Sequence, residues 1–342
     1  MPLVPNLRCT IGTVQVAGRH LPVTFADRAD VPNCYLCCPT VAYRDYGIEE
    51  TRHFARHAVL RTVLTGVLRA AGPVLRRSGL DHQCQVNNWI LATNPPLGLT
   101  PDEAAALMLT LANRHPDRAI VARSLNDRAD APLLAALAQA GAVLLPARQV
   151  WIVGPDAPWA LNRRRDARLL AQTTLAVVDG GSFADADFDE AARLYAMLYL
   201  QKYTPLNPQY SAAFLKGMHD AGIMRLIGLR QADGQLVAVV GTVALQDLLT
   251  APVVGYRTDL PQKLGLYRML IALAMAEAHA RHLSFNISAG AAGFKRSRGA
   301  MPAIEYTAAY VAHLPLPSRL ATAALSGLLN GIGVPIMKRF AL

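Results

Sequence analysis

Residues 260–270 read LPQKLGLYRML, and this stretch decides how the second half of the chain is interpreted. It lies between an apolar, β-branched segment (APVVGYRTD, 251–259) and a long apolar segment with a helical pattern (YRMLIALAMAEAHARH, 267–282). Gly265 at such a turn lets the backbone approach a ligand closely, because glycine has no Cβ. The first turn of the following helix adds unpaired N–H groups at the positive end of the helix dipole. The stretch therefore predicts either an ordinary strand-to-helix turn or a site for an anion.

The composition limits the class of protein. The chain has 342 residues, which is enough for two domains of ordinary size. Hydrophobic residues make up 52% and charged residues 17%, and no uninterrupted apolar run reaches the roughly 18 residues of a membrane-spanning helix. The N-terminus (MPLVPNLRCTIG) has no basic region followed by an apolar one. We therefore expect a cytoplasmic protein without a signal peptide.

The cysteines all lie in the first quarter of the chain: Cys9, Cys34, Cys37, Cys38 and Cys84. Their odd number and position fit reduced thiols better than a disulfide framework. The one C-x-x-C pair, with His82 and Cys84 further along, raises the question of zinc, but a structural zinc site needs four ligands and the second pair has poor spacing. We expect no metal, and we interpret residues 33–43 (NCYLCCPTVAY) as a strand with buried cysteines.

The net charge of +10 comes mostly from arginine, which clusters at 56–77, 163–165 and 295–298. Such an excess suits nucleic acid, phosphate-bearing cofactors or anionic lipid surfaces. Aromatic residues make up only 6%, and the sequence has no helix-turn-helix, zinc-finger or RNA-binding signature. Nucleic acid is therefore not expected as a partner.

Hydrophobic periodicity and turn residues predict a mixed α/β chain. In the first half the predicted elements are a hairpin (8–16 and 20–25), a strand (34–43), two helices (48–57 and 59–77), a strand (83–93), a helix opened by Thr100, a strand (118–125), a helix (132–140) and a strand (142–153). Residues 154–168, rich in proline, glycine and charge, are interpreted as a connector with a short basic helix. In the second half they are a strand (174–181), a helix (186–201), a second helix after Pro205 and Pro208, a hairpin (224–231 and 235–245), a strand (252–259), a helix (266–281), a strand (283–289), a short helix (294–298) and a strand (304–311).

This order, with a Gln-x-x-Gly turn between the fourth strand of the second half and the next helix, resembles the GNAT superfamily of acyl-CoA N-acyltransferases. In that family a Gln/Arg-x-x-Gly-x-Gly/Ala turn holds the pyrophosphate of coenzyme A on backbone N–H groups. Gln262, Gly265 and Tyr267 fall on the motif, and Tyr267 departs from it because a small residue is usual there. The resemblance implies acyl-CoA as a co-substrate and no permanently bound cofactor. The residues expected to contact it are Leu260, Gln262, Lys263, Leu264, Gly265, Leu266 and Tyr267.

A second motif, FKRSRGAMP (294–302), looks like the Phe/Tyr-Lys-x-x-x-Gly-Ala signature of the FemX-like branch, whose members carry two tandem GNAT folds. The first half is similar to a degenerate first copy, because its strand at 83–93 leads into NPPLGLTPDE (94–103) without a Gln-x-x-Gly turn. The resemblance implies an α/β fold with mixed sheets and four segments. These are a degenerate N-terminal GNAT-like domain (1–153), a connector (154–174), a C-terminal GNAT domain with the acyl-CoA site (175–313) and an apolar, basic tail (314–342).

Acyl transfer to an amine requires a neutral amine, a polarised thioester carbonyl and a proton for the departing thiolate. In GNAT folds the fourth and fifth strands splay apart and expose backbone N–H groups that polarise the carbonyl. The resemblance assigns these strands to 251–259 and 283–289. Asn286 and Ser288 share one face of the second strand, because side chains alternate along a strand. They are candidates for the active cleft, and an outward polar face is the alternative.

Further side chains are candidates for catalysis. Lys295 stands where the FemX-like pattern has its lysine and would stabilise an oxyanion or bind phosphate, unless it belongs to a solvated basic turn. Glu305 would act as the general base, because burial raises the pKa of a carboxyl group; it could equally be a structural partner of Arg298. The candidate proton donors to the thiolate are Tyr256, Tyr306 and Tyr310.

The acceptor is expected to bind near residues 202–214 (KYTPLNPQYSAAF), where GNAT folds usually place acceptor-binding elements between the first two helices. The side chains that could line an acceptor pocket are Lys202, Tyr203, Asn207 and Tyr256. The alternative is that Pro205 and Pro208 simply break the helix.

The sequence thus predicts an N-acyltransferase that moves an acyl group from coenzyme A or an acyl carrier protein to a primary amine. The low charged fraction, the basic surface and the apolar tail favour a lipid amine, such as a sphingoid base in a bacterial ceramide-type pathway. Two alternatives stay open: a non-catalytic binding or scaffold protein at a membrane, and transfer of an aminoacyl group from tRNA as in FemX proteins.

The tail, residues 314–342, contains no acidic residue. Leucine and alanine residues from 318 to 329 fall near one helical face, and three residues then predict a break in the helix: Gly331, Gly333 and Pro335. Three basic residues flank the apolar ones: Arg319, Lys338 and Arg339. The tail is therefore predicted to lie on an anionic membrane, as on the cytoplasmic side of the inner membrane, without spanning it. Packing on the protein's own body or on a dimer partner is the alternative.

Overall fold

Apart from residues 34–43, the helices and strands follow one another along the chain in the predicted order. The computed structural model describes residues 2–27, 33–54 and 57–340. The elements up to residue 153 are β1 (Thr10–Val16), β2 (Arg19–Ala26), α1 (Gly47–Phe54), α2 (Ala58–Ser78), β3 (Gln83–Val86), α3 (Pro101–Arg114), β4 (Ala119–Asn126), α4 (Ala131–Gln139) and β5 (Ala142–Val153). The remaining elements are α5 (Leu161–Gln172), β6 (Ala176–Asp179), α6 (Asp185–Ala196), α7 (Ala212–Asp220), β7 (Arg225–Arg230), β8 (Leu236–Leu245), β9 (Leu248–Tyr256), α8 (Leu266–Ala280), β10 (Ser284–Asn286), α9 (Ala292–Arg296), β11 (Met301–Tyr310), α10 (Leu316–Leu328) and α11 (Val334–Phe340). The expected mixed α/β class is confirmed.

The chain divides into two compact units. The N-terminal unit consists of Asn6–Val150 and Ala303–Leu342, and the C-terminal unit of Met1–Pro5 and Trp151–Pro302. The sequence assigns 303–313 to the second domain, but in the structure these residues belong to the N-terminal unit. The reason is strand pairing: β11 pairs antiparallel with β4, from Glu305 opposite Asn126 to Tyr310 opposite Ile120.

In the N-terminal unit the strands follow the order β1–β2–β3–β4–β11–β5. All pairs described there are antiparallel except β3 with β4, which is parallel and connected through α3. One face of this sheet packs against α3 and α4 through residues such as Leu107, Leu111 and Leu134. A second cluster, with Leu75 and Leu325, lies under α2 and α10. Both faces of the sheet are therefore covered by helices.

In the C-terminal unit the strands follow the order β10–β9–β8–β7–β6. The neighbouring strands from β6 to β9 pair antiparallel. The strands β9 and β10 pair parallel and are connected through α8. The helix α6 packs closely across β9 at Gly255. A Cβ at this position would lie only 2.5 Å from the backbone nitrogen of Tyr195. This unit therefore contains a second strand–helix–strand crossing of the same kind as β3–α3–β4.

Two predicted strands differ from the structure. Residues 34–43 form turns followed by a π-helical turn (Val41–Tyr46). The carboxylate of Asp81 accepts hydrogen bonds from Thr40 N at 2.8 Å and Thr40 Oγ1 at 2.5 Å, and these long-range bonds replace strand pairing. The strand at 83–93 ends at Val86, because Asn87 takes a positive φ of 53° that turns the chain out of the sheet.

The tail forms one helix, Leu316–Phe340, and the predicted break is wrong. A π-helical turn (Leu329–Gly333) connects α10 and α11 just before Pro335. A wider turn with i→i+5 bonds accommodates a proline ring without ending the helix. Among the described residues this is one helix long and apolar enough to cross a membrane by length and composition alone, with a mean hydropathy of 1.5 over an 18-residue window.

Candidate active site

The parallel pair β9 and β10 separates after three residues. Ser284, Phe285 and Asn286 pair with residues 248–250, and β9 then continues to Tyr256 without β10 beside it. Beyond Asn286 the chain bonds to Trp151 instead: Ile287 N donates to Trp151 O at 2.8 Å, and Trp151 N donates to Ser288 O at 3.1 Å. A gap therefore opens between the two strands within the C-terminal unit.

Backbone N–H groups of β9 point into this gap. Arg257 N donates to Val237 O of the β8 side at 3.0 Å, and N–H directions alternate along an antiparallel strand. The N–H groups of Val254 and Tyr256 therefore point away from β8, towards the gap. Pro252, two residues before Val254, has no N–H group. Two donors are thus available to a ligand in the gap.

The N-terminus of α8 follows directly after β9 and is not capped by a side chain. Its N-cap is Gly265, with φ 69° and ψ 30°, a left-handed conformation that favours glycine. The first backbone bond of the helix runs from Met269 N to Gly265 O, so the N–H groups of residues 266–268 lie ahead of the hydrogen-bond ladder. The first turn contains no acidic residue, and Arg268 adds a cation there. This is an environment for a phosphate group.

A buried carboxylate fixes this turn. Asp166, on α5, accepts from Arg268 Nε at 2.6 Å through one oxygen and from Arg298 Nε at 2.5 Å through the other. Asp166 and Arg298 are buried, and the Arg298 guanidinium stacks on the ring of Phe294 at 3.3 Å. Leu169, one turn further along α5, lies so close that a Cβ on Gly265 would be 2.7 Å from its Cδ2. The helix α5 thereby holds α8 and the FKRSRG motif together.

Comparison with known proteins identifies this region. Residues 162–296, which include Asp166, the gap and all of α8, match the family model of the acetyltransferase (GNAT) domain. The chain carries a GNAT domain. No curated protein matches the sequence.

The structure is similar to that of FemX, with a TM-score of 0.56 at 8% identity, covering 93% of this chain and 91% of FemX. This similarity shows that the fold is FemX-like, as the FKRSRG motif implies. The L-PGS of Bacillus licheniformis is 14% identical, with a TM-score of 0.46 over 64% of this chain and 76% of that one. A tandem GNAT protein from the clavulanic acid biosynthesis pathway is 15% identical, with a TM-score of 0.38 over 67% of this chain and 75% of that one.

The predicted cofactor-contact residues form a short loop of the GNAT domain. Gln262–Leu264 make a 3-10 turn between β9 and α8, and Gln262 O accepts from Gly265 N at 3.0 Å. Gln262, Lys263 and Leu264 are exposed, Leu260 and Tyr267 are half-buried, and Leu266 is buried. The large Tyr267 side chain packs 4.9 Å from the ring of Phe294 and 6.2 Å from that of Tyr256. The motif therefore supplies backbone groups and one nearby cation, Lys263.

Asn286 and Ser288 stabilise the backbone where β10 leaves β9. Asn286 is buried, and its Oδ1 accepts from Ser288 N at 2.8 Å. Ser288 adopts a positive φ of 64°, so the strand alternation that placed the two side chains on one face ends before it. The role of the two side chains in the active cleft stays a prediction, and in the structure Asn286 fixes the turn that opens the gap.

Lys295 is buried and serves the same turn. Its Nζ donates to the carbonyl oxygens of Ile287 at 2.7 Å, Ser288 at 2.9 Å and Ala289 at 2.7 Å. An ammonium group has three N–H donors, and three carbonyl acceptors use all of them. Lys295 therefore fixes the backbone at the splay, and its expected role as an oxyanion or phosphate ligand stays a prediction.

Glu305 is also paired, but in the N-terminal unit. Its two carboxylate oxygens accept from Arg148 Nε at 2.9 Å and Arg148 Nη2 at 3.2 Å, and Arg148 Nη2 also donates to Ala92 O and Thr93 Oγ1. Burial disfavours the charged form of Arg148, but the charge and hydrogen bonds of Glu305, together with Tyr35 and Tyr46, outweigh this and raise the pKa of the guanidinium. The partner of Glu305 is therefore Arg148, and Arg298 pairs with Asp166.

The predicted tyrosines lie in different places. Tyr306 and Tyr310 are on β11 of the N-terminal unit, where Tyr310 stacks on His313 with ring centroids 5.6 Å apart. Tyr256 lies in the GNAT domain at the end of β9, beside the gap. Burial raises the pKa of both Tyr256 and Tyr267, which keeps their hydroxyl groups protonated.

The expected acceptor segment follows α6. Residues 197–203 form a π-helical turn that extends α6, and Lys202 and Tyr203 at its end are exposed. Asn207 is buried, and its Nδ2 donates to Tyr199 O at 3.0 Å and Thr204 O at 3.2 Å. Asn207 therefore closes the loop, and Lys202 and Tyr203 are the exposed polar side chains of this segment.

Two functional candidates were missed in the sequence, Asp166 and Arg268. Asp166 is the single acid in the basic run RRRDAR (163–168). Such an isolated acid is a signal of pairing, but its partners are 102 and 132 residues away in the sequence. Arg268 adjoins the Gln-x-x-Gly turn and could have been included with it.

Proposed function

We propose that the protein is an N-acyltransferase that moves an acyl group from a coenzyme A thioester to a primary amine. The observation that carries the proposal is the uncapped, glycine-initiated N-terminus of α8 beside the gap between β9 and β10. The GNAT domain supports the acyltransferase class, and the two features together suit a ligand with a phosphate end and a thioester end.

The pyrophosphate binds at the first turn of α8. The N–H groups of residues 266–268 donate to its oxygens, and the helix dipole favours the negative charge. Arg268 Nε is held by Asp166, and the outer nitrogens of its half-exposed guanidinium are available to a ligand. A guanidinium binds phosphate oxygens through two parallel N–H donors.

The thioester carbonyl lies in the gap, where the N–H groups of Val254 and Tyr256 polarise it. The amine nitrogen attacks the carbonyl carbon, and the C–N bond forms as the oxygen takes up negative charge that these donors stabilise. When the C–S bond breaks, the thiolate takes a proton. Tyr256 supplies it, because burial keeps its hydroxyl protonated and the residue lies beside the gap. The nitrogen that attacked loses one proton as the amide forms, and this proton restores the hydroxyl of Tyr256.

We propose a lipid amine, such as a sphingoid base, as the acceptor. An aromatic group formed by Tyr256, Tyr267 and Phe294 beside the α8 turn supports an apolar substrate chain, and Lys202 and Tyr203 supply an exposed entrance. The low charged fraction of 17% and the basic surface point to the same class of substrate. An acyl carrier protein as donor would use the same gap.

The direct test is free-thiol release. The protein is incubated with acyl-CoA of several chain lengths and a panel of amines that includes long-chain amines, amino sugars and peptides. Thiol release that requires both substrates, with an amide product detected by mass spectrometry, is the expected result. No release above background with any pairing contradicts the proposal.

The FemX-like fold supports one other candidate, transfer of an aminoacyl group from tRNA, for which the net charge of +10 is suitable. Aminoacyl-tRNA in place of acyl-CoA in the same assay separates the two. A scaffold without catalysis predicts neither product nor any thermal shift with acyl-CoA.

A further inference from the structure

The helix α2 and the terminal helix (Leu316–Phe340) pack against each other in the N-terminal unit. Their inner sides belong to the hydrophobic cluster that contains Leu75 and Leu325. Thr322 and Leu325 are fully buried, and Ser326 Oγ donates to Leu144 O at 2.8 Å. The terminal helix is thus a fixed part of this unit.

The outer sides of the same two helices expose large apolar side chains. In α2 these are Val59, 77% exposed, and Val63, 56% exposed, which are four residues apart and lie on one face. In the terminal helix they are Leu316 and Leu320, with the same spacing, and Ile332. We call the exposed side chains of these two packed helices, taken together, the two-helix face.

The charge of the two-helix face has one sign. Neither 58–78 nor 316–340 contains an aspartate or glutamate. The exposed basic residues are Arg61, Arg69, Arg76, Arg77, Arg319, Lys338 and Arg339. Within the part of the chain that the structure describes, none of these seven forms an ion pair with an acidic side chain. Two acidic elements pack on α2: α1 with Glu49 and Glu50, and the π-helical turn (Val41–Tyr46) with Asp45. Glu49 is paired with Arg52 and Asp45 with Arg44.

We infer that the two-helix face docks on an anionic lipid bilayer and lies in its interface. Apolar side chains surrounded by unpaired cations match a surface with buried acyl chains and negative headgroups. If the two-helix faces of two copies of the chain met, the seven cations of one would lie against the seven of the other, and their repulsion would oppose dimer formation. The inference is independent of the acyl-transfer proposal, because it rests on the N-terminal unit alone.

The terminal helix does not cross the bilayer in this arrangement. A spanning helix would have to leave the sheet and expose the cluster around Leu75, together with the buried side chains Thr322, Leu325 and Met337. Truncation of the tail would uncover the same cluster, so single exposed residues are the better targets for a test.

The test is sedimentation of the full-length protein with vesicles of phosphatidylcholine alone and of phosphatidylcholine mixed with phosphatidylglycerol, at low and high salt. We expect binding to the anionic vesicles only, weakened by salt. The double variant Val63→Asp, Leu320→Asp should bind at least about tenfold more weakly, because two apolar contacts are lost and two repulsive charges are added. Ile11→Asp is the matched control, since Ile11 is also 56% exposed and lies on β1 of the same unit.

A second pair of variants keeps the test independent of folding. Arg69→Gln and Arg319→Gln should each weaken binding by about fivefold, and thermal unfolding monitors the fold of every variant. Three results overturn the inference: equal binding to neutral vesicles, no binding to either, or the same loss with Ile11→Asp. A dimer of the wild type that Val63→Asp converts to a monomer, without vesicle binding, would show that a second copy covers the face.

Discussion

The two strand–helix–strand crossings, β3–α3–β4 and β9–α8–β10, have the same topology. They differ in how the first strand ends and the helix begins. In the N-terminal unit, β3 pairs with β4 along its whole length of four residues and a loop of 14 residues leads to α3. In the C-terminal unit, β9 outruns its pairing with β10 and reaches α8 through a short turn. One crossing is closed by the protein's own groups, and the other is open to a ligand.

The helix starts show the difference most clearly. Thr100 Oγ1 accepts from Glu103 N at 3.3 Å and Glu103 Oε2 accepts from Thr100 N at 2.8 Å, so α3 begins with a capping box. Pro101 has no N–H group, and Asp102 and Glu103 bring negative charge to the first turn. The helix α8 has glycine at its N-cap, so no side chain caps it, and its first turn contains no acidic residue. An anion site on this fold therefore requires a helix start that the chain leaves unsatisfied.

The largest expected effect comes from the carboxylate that holds the open crossing. Asp166→Asn removes the charge that pairs Arg268 and the buried Arg298. A buried charge left without its partner costs about 3–5 kcal/mol, so thermal or urea unfolding should show a large loss of stability. Asp156→Asn is the control, since that side chain is 87% exposed in the same unit, and its stability should not change. Wild-type stability of the Asp166 variant would contradict the bridging role.

The second effect is on ligand binding at the glycine. Gly265→Asp introduces a carboxylate among the N–H donors and a Cβ at φ 69°, and acyl-CoA should bind at least about 100-fold more weakly by calorimetry. Gly265→Ala has the same backbone strain without the charge and should lose less. Gly98, at φ 70° in the closed crossing, provides the comparison, because Gly98→Asp should leave acyl-CoA binding unchanged. Equal losses for Gly265→Asp and Gly98→Asp would remove the distinction between the crossings.

A smaller effect is expected at the cation of the open crossing. Arg268→Ala removes a charge-assisted contact with phosphate and should weaken acyl-CoA binding by about tenfold. Arg281→Ala removes an arginine at the other end of α8, 52% exposed, and should change the affinity little. If both variants bind equally well, the phosphate lies elsewhere.

The smallest effect belongs to the closed crossing. Thr100→Ala removes the side-chain cap of α3 and should destabilise the protein by about 1 kcal/mol. Acyl-CoA affinity should stay at the wild-type value, since this helix start is not a ligand site. A change in affinity without a change in stability would contradict that assignment.

The sequence predicted the features whose causes are local. The start of α3 follows from Thr100 and Glu103, and α8 follows from Gly265 and the apolar period behind it. The strand β5 was predicted with its observed bounds, because a mostly apolar segment, interrupted at Pro146, Arg148 and Gln149, lies between Gly141 and Gly154.

The features that could not be read from the sequence depend on distant partners. Glu305 and Arg148 are 157 residues apart, and Asp166 bonds residues more than 100 positions away. Lys295 was recognised by its motif, but its three carbonyl acceptors exist only once Ser288 has turned the chain. The assignment of β11 to the N-terminal unit likewise follows from pairing with β4, which no local pattern encodes.

Backbone amide hydrogen exchange with and without acyl-CoA tests the central claim most directly, because it observes both crossings in one experiment. We predict that acyl-CoA slows exchange at residues 254–256 and 265–269 and leaves residues 87–104 unchanged. Protection at the start of α3, or none at the start of α8 under saturating acyl-CoA, would contradict the account.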